Sequence, residues 1–134
     1  METEMEKLQK IPEPIRTALR EFLEWYDYTM PVNIELNENR LELYIQHDIT
    51  EELEYCTFEC VQQTKKLISK KVDEEKISES CRDGCFVDVT ANANAMFDDI
   101  RKKLFEYLDK YGIKRVWWQE GWEDVYRYFE VHIQ

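Results

Sequence analysis

The sequence predicts an α+β fold: a mainly antiparallel sheet of four or five strands, two hairpins, packed with three helices in the order α-β-β-α-(β)-α-β-β. Three observations predict it. Apolar residues recur at helical spacing in three stretches; they alternate with polar residues after Val32 and again near the C-terminus; and the strict strand and helix alternation of a doubly wound sheet is missing. With 134 residues, 43% apolar and 13% aromatic, the chain can bury one core. Residues 1–134 are therefore expected to form a single domain, with residues 1–11 as a frayed N-terminus.

Ile15, Ala18, Leu19, Phe22, Leu23 and Tyr26 mark the inner stripe of the first helix, opened by Pro12 and Pro14 and closed before Pro31. Val32, Ile34 and Leu36, then Leu41, Leu43 and Ile45, alternate with polar residues around the link Glu38, Asn39, Arg40. That predicts a hairpin with one wet face. Asp48 and Glu51 have capping-box spacing, so a long second helix is expected to about Val72 on the stripe Ile49, Leu53, Cys56, Cys60, Thr64, Leu67. Asp73 to Gly84 lacks a period and reads as a loop, and Phe86 to Val89 as a short buried strand. Asn92 or Asn94 then caps a third helix carrying Met96, Phe97, Ile100, Leu104 and Leu108, with Gly112 as its left-handed C-terminal residue. Ile113 to Trp118 and Val125 to Ile133 read as the last hairpin, turning near Glu120 and Gly121, with Arg127 on the face of Phe129, Val131 and Ile133.

Eighteen Lys and Arg against 29 Asp and Glu give a net charge of −11, which disfavours direct contact with nucleic acid or an anionic membrane. The charge is concentrated. Residues 31–60 hold eight acids and one Arg. Asp48, Glu51 and Glu52 suit a helix N-terminus and Lys65, Lys66, Lys70 and Lys71 its C-terminus, but the macrodipole does not account for Glu35, Glu38 and Glu42 on the hairpin. The charged stretch from Met1 to Lys10 lacks the apolar core of a secretory signal, and no apolar run is long enough to span a bilayer, so a cytoplasmic address is expected.

Cys56, Cys60, Cys81 and Cys85 form two Cys-x3-Cys pairs. They are read first as buried free thiols, because Cys56 and Cys60 lie on the apolar stripe; zinc ligation and disulfides are the alternatives, and no other cofactor is expected. The twin spacing resembles that of small chaperones of the mitochondrial intermembrane space, in the cysteines alone. Acid and base chemistry has only His47 and His132 to draw on, the three glycines make no phosphate loop, and no catalytic residue is assigned.

The expected function is a small acidic protein-binding module, an inhibitor, immunity or anti-defence protein that occupies the basic surface of a partner such as a nuclease or other nucleic-acid-binding protein. Glu35, Glu38, Glu42, Glu51, Glu52 and Glu54 would steer the encounter, and Trp118, Trp122, Tyr126 and Tyr128 would anchor it. A structural or homodimer-forming domain, pairing through the aromatic C-terminal hairpin, is the alternative. A metal- or thiol-dependent enzyme comes third.

Overall fold

Strand alternation yields β1 (Asn33–Asn37), β2 (Arg40–Asp48), β3 (Val116–Glu123) and β4 (Tyr126–Ile133), which make one four-stranded antiparallel sheet in the order β1-β2-β4-β3. The computed structural model describes residues 4–77, 79–81 and 87–134. Among these lie five helices rather than three: α1 (Glu4–Gln9), α2 (Ile15–Trp25), α3 (Phe58–Ile68), α4 (Glu79–Cys81) and α5 (Val87–Lys110), with a 3-10 turn at Glu74–Lys76. The mixed α+β class stands as expected.

Several boundaries differ from expectation for physical reasons. The segment read as a frayed N-terminus contains α1, held because Leu8 and Ile11 are buried. The helix expected from Asp48 starts instead at Phe58, behind Thr57, whose hydroxyl accepts from the Cys60 amide. Asp48 does not cap it: its carboxylate accepts from the Thr50 amide at 2.9 Å and from the Thr50 hydroxyl. The Ile49 amide donates to the Val125 carbonyl at 3.1 Å, so residues 49–56 turn back on the last hairpin. Val87 to Val89 are helical, not a strand, and Phe86 lies outside the described residues. Asn92 and Asn94 consequently sit inside α5 rather than at its cap. Gly112 is left-handed at φ 71° as expected, and the Ile113 amide reaches back to Leu108 at 2.9 Å.

Two compact units emerge from the contacts, each assembled from separate stretches of chain. The first comprises Met1–Ile45, Asp98–Glu120 and Phe129–Gln134. Its core takes Ala18, Leu19 and Phe22 from α2, Leu41, Leu43 and Ile45 from β2, Ile100, Leu104 and Leu108 from α5, and Phe129, Val131 and Ile133 from β4. The second comprises Gln46–Phe97 and Gly121–Tyr128. In it Ile49, Leu53, Ala93 and Val125 form one buried cluster, and Cys60, Ile77 and Cys81 another. Arg127, only 4% exposed, is buried as its place in the pattern implies.

Three surface carboxylates set an acid limit on stability, two through bonds within a few residues and Glu21 by tying α2 to the end of α5. Thr17 and then Arg16 hold Glu13 below the usual carboxylate range; the Tyr111 hydroxyl, at 2.7 Å, and the Lys110 ammonium do so for Glu21; and Thr50 does so for Asp48. A lowered folded-state pKa contributes stability above the unfolded-state value and loses it as pH falls through the folded one. Urea midpoints followed by tryptophan fluorescence are therefore expected to stay level from neutrality to about pH 5 and then to drop, with Glu21→Gln flattening part of the drop.

Candidate functional site: an acidic sheet face

Opposite residues of an antiparallel pair share a face, and in β1 and β2 the register sets Glu35 directly across from Glu42. Like charges so placed repel. From β4, Glu130 brings a third carboxylate, and together with Asn33 and Tyr44 these residues line an open depression of about 320 Å³. Glu42 also lines a depression of about 540 Å³ at the hairpin tip with Glu38, Leu36, Arg40 and Gln134. Glu38 itself occupies the turn with φ 54°. The structure thus brings Glu35, Glu38 and Glu42 together, with Glu42 common to both hollows.

His132 lies within this cluster, its side chain 14% exposed. Nδ1 is 3.6 Å from Glu42 and Nε2 is 3.7 Å from Glu130. These separations are too long for hydrogen bonds, so the contact is an electrostatic one that strengthens when the ring is protonated. Trp117 lies flat on the imidazole, with ring centroids 5.2 Å apart and planes 2° apart, and the Arg40 guanidinium sits 5.3 Å from the Trp117 ring. Gln119 donates to Glu130 at 2.5 Å. The face therefore offers carboxylates beside flat rings, a combination that receives ammonium and guanidinium groups.

The aromatic residues expected to anchor a partner are divided by strand parity. The turn of the last hairpin is Asp124 and Val125, not Glu120 and Gly121. With two residues in the turn, odd positions on β3 face even positions on β4, so Trp117 and Gln119 accompany His132 and Glu130. Trp118 points the other way, packing 4.7 Å from Phe105 of α5, and Glu120 beside it bonds Arg101 at 2.7 Å. In the second unit Trp122 donates to Asn94 at 3.1 Å, Tyr126 is exposed, and Tyr128 covers Gly121. Trp117, Glu130 and Tyr44 are not among the partner-binding residues that the sequence offers, and His132 enters there only as a candidate acid or base. A two-residue hairpin turn placed directly after Glu123 is the signal that puts Trp117, Glu130 and His132 on one face.

The remaining predicted acids belong to the second unit. Glu51, Glu52 and Glu54 are exposed in the turns before α3, so the macrodipole does not explain them; Glu59 is the acid of its first turn. The His47 Nε2–H donates to the Glu52 carboxylate at 2.8 Å. The cysteine expectation is corrected. Cys60 and Cys81 are bonded to each other and Cys56 is disulfide-bonded, so neither free thiols nor a zinc site describes them; Cys85 lies outside the described residues. The two sulfurs meet because Cys60 on α3 and Cys81 on α4 occupy one buried cluster with Ile77.

Fold and site together define an α+β protein with an open, acidic and aromatic sheet face. No known protein family, curated protein or solved structure matches this chain. Among the described residues no helix is long and apolar enough to cross a membrane.

Proposed function

We propose that this protein is a small acidic binding module that occupies a basic surface of a partner protein, in the manner of an inhibitor, an immunity protein or an anti-defence protein. The observation that carries this reading is Glu35 directly opposite Glu42, with Glu130 lining the same hollow. Repulsion within that group costs stability in the isolated chain and is relieved when a partner's Lys or Arg enters, so the face is poised for a cation. Nucleases and other nucleic-acid-binding proteins supply surfaces of that kind. The Cys60 to Cys81 disulfide suits an oxidising compartment, which departs from the cytoplasmic address expected from the first ten residues.

Two measurements on Glu35→Gln test this reading with opposite signs. Removing one charge from the pair is expected to raise the unfolding free energy of the isolated protein by about 0.5 kcal/mol. The same change is expected to weaken capture of the native partner, and Glu35→Lys with Glu42→Lys to abolish it. Partner capture that ignores both salt and charge reversal overturns the reading.

A second reading is favoured by one observation. β3 is an edge strand whose Trp117 is 42% and Trp118 48% exposed, an arrangement that invites pairing with a copy of the same strand. Light scattering separates the two: a dimer that dissociates on Trp118→Ser supports the homodimer, and a monomer at all concentrations removes it.

A further inference from the structure

We propose that Tyr55 and Phe58 form a second docking point, which receives the apolar stripe of a positively charged amphipathic segment from the partner. Around them Leu53 points inward and is buried, Cys56 is half-buried and disulfide-bonded, and Cys60 is buried and bonded to Cys81. Those side chains take the inward positions. Tyr55 and Phe58 are left 91% and 80% exposed, the most exposed large apolar side chains among the described residues. The disulfides at Cys56 and Cys60 restrain the backbone that carries the two rings, so the backbone loses little freedom when they are covered.

Charge selects the partner. Residues 51–59 contain Glu51, Glu52, Glu54 and Glu59 and no Lys or Arg, so an apolar surface that covers the rings must bring cations to their rim. Lysine and arginine side chains meet both needs, pairing with the carboxylates and lying over the ring faces. An anionic segment would place like charges together and be rejected. This docking point shares with the proposed function the premise of a cationic partner, but it uses neither the sheet face nor its residues.

The test uses three fluorescently labelled helical peptides: one with a Leu stripe among Lys residues, one with the same stripe among Glu residues, and one with Ser in place of the Leu stripe among Lys residues. Fluorescence anisotropy is expected to show the Leu and Lys peptide binding the wild-type chain, with Tyr55→Ser plus Phe58→Ser weakening it by about tenfold or more. The Glu peptide should not bind, and the Ser peptide should bind more weakly and ignore the double substitution. Both replaced side chains are exposed, and an unchanged urea midpoint verifies that the fold survives. Failure of the Leu and Lys peptide to bind, indifference to the double substitution, or equal binding of the Glu peptide overturns the proposal. So does self-association of the wild-type chain that the double substitution abolishes, because the occupant is then a second copy. Glu35→Lys with Glu42→Lys separates the two sites. Peptide affinity retained in that variant supports the docking point, whereas peptide lost there and retained without the rings refutes it and leaves the sheet face standing.

Discussion

Arg127→Ala is expected to lower the unfolding free energy by about 3 kcal/mol, read as a shift in the urea midpoint. The guanidinium is buried on the inner side of β4, where Nε donates to Asn94 at 2.9 Å and Nη1 to the carbonyls of Tyr128 at 2.8 Å and Gly121 at 3.3 Å. Its carbon lies 4.9 Å from the centre of the Phe97 ring. Truncation to alanine leaves a cavity and takes the donors away from these acceptors together. Arg127→Met separates the two causes. Methionine refills most of the volume and removes a charge that burial disfavours, so it is expected to cost about 1 kcal/mol. Equal losses for Ala and Met would show that the hydrogen bonds outweigh the packing. Asn94→Ala should cost less than Arg127→Ala, because Asn94 is exposed and water can replace its carbonyl as acceptor.

Replacing Cys60 and Cys81 with alanine is expected to cost a similar amount, about 3 kcal/mol on the chain-entropy account of a loop of this length. The bond spans a sequence separation of 21 and joins α3 to α4. Among the described residues its two cysteines and Ile77 are the buried part of their cluster, so few of those apolar contacts remain once the link is gone. Hydrogen exchange is the direct measurement. Amides of α3 should lose protection in the double variant or in reductant, while amides in the core of the first unit, such as those around Leu104 and Phe129, should keep theirs. Uniform loss across the chain would mean that the disulfide supports global stability and not this segment.

The two largest effects fall on residues that the sequence treats differently. Simple alternation puts Arg127 on the core face, since Phe129, Val131 and Ile133 share its side of the strand. The cysteine pairing had no such local signal. Cys56 and Cys60 suit an apolar helical stripe equally well as thiols, and Cys81 reaches Cys60 only because α4 returns to α3. The same contrast runs through the candidate site. Glu35, Glu38 and Glu42 converge because a two-residue turn at Glu38 and Asn39 fixes the register of the first hairpin. Trp118 separates from Trp117 because the last turn falls at Asp124 and Val125, and one residue of parity exchanges the faces of every ring on β3.

By itself the sequence determined the mixed α+β class, the two hairpins, the stop at Gly112 and the gathering of negative charge before residue 60, because each is written in a local period, a φ requirement or a count. Tertiary structure alone decided where α3 begins, which sulfurs join, and which aromatic rings stay in water. Those outcomes depend on partners far apart in the chain: the Ile49 amide is claimed by Val125, and Tyr55 and Phe58 are left outside once Leu53 and Cys60 have taken the buried positions.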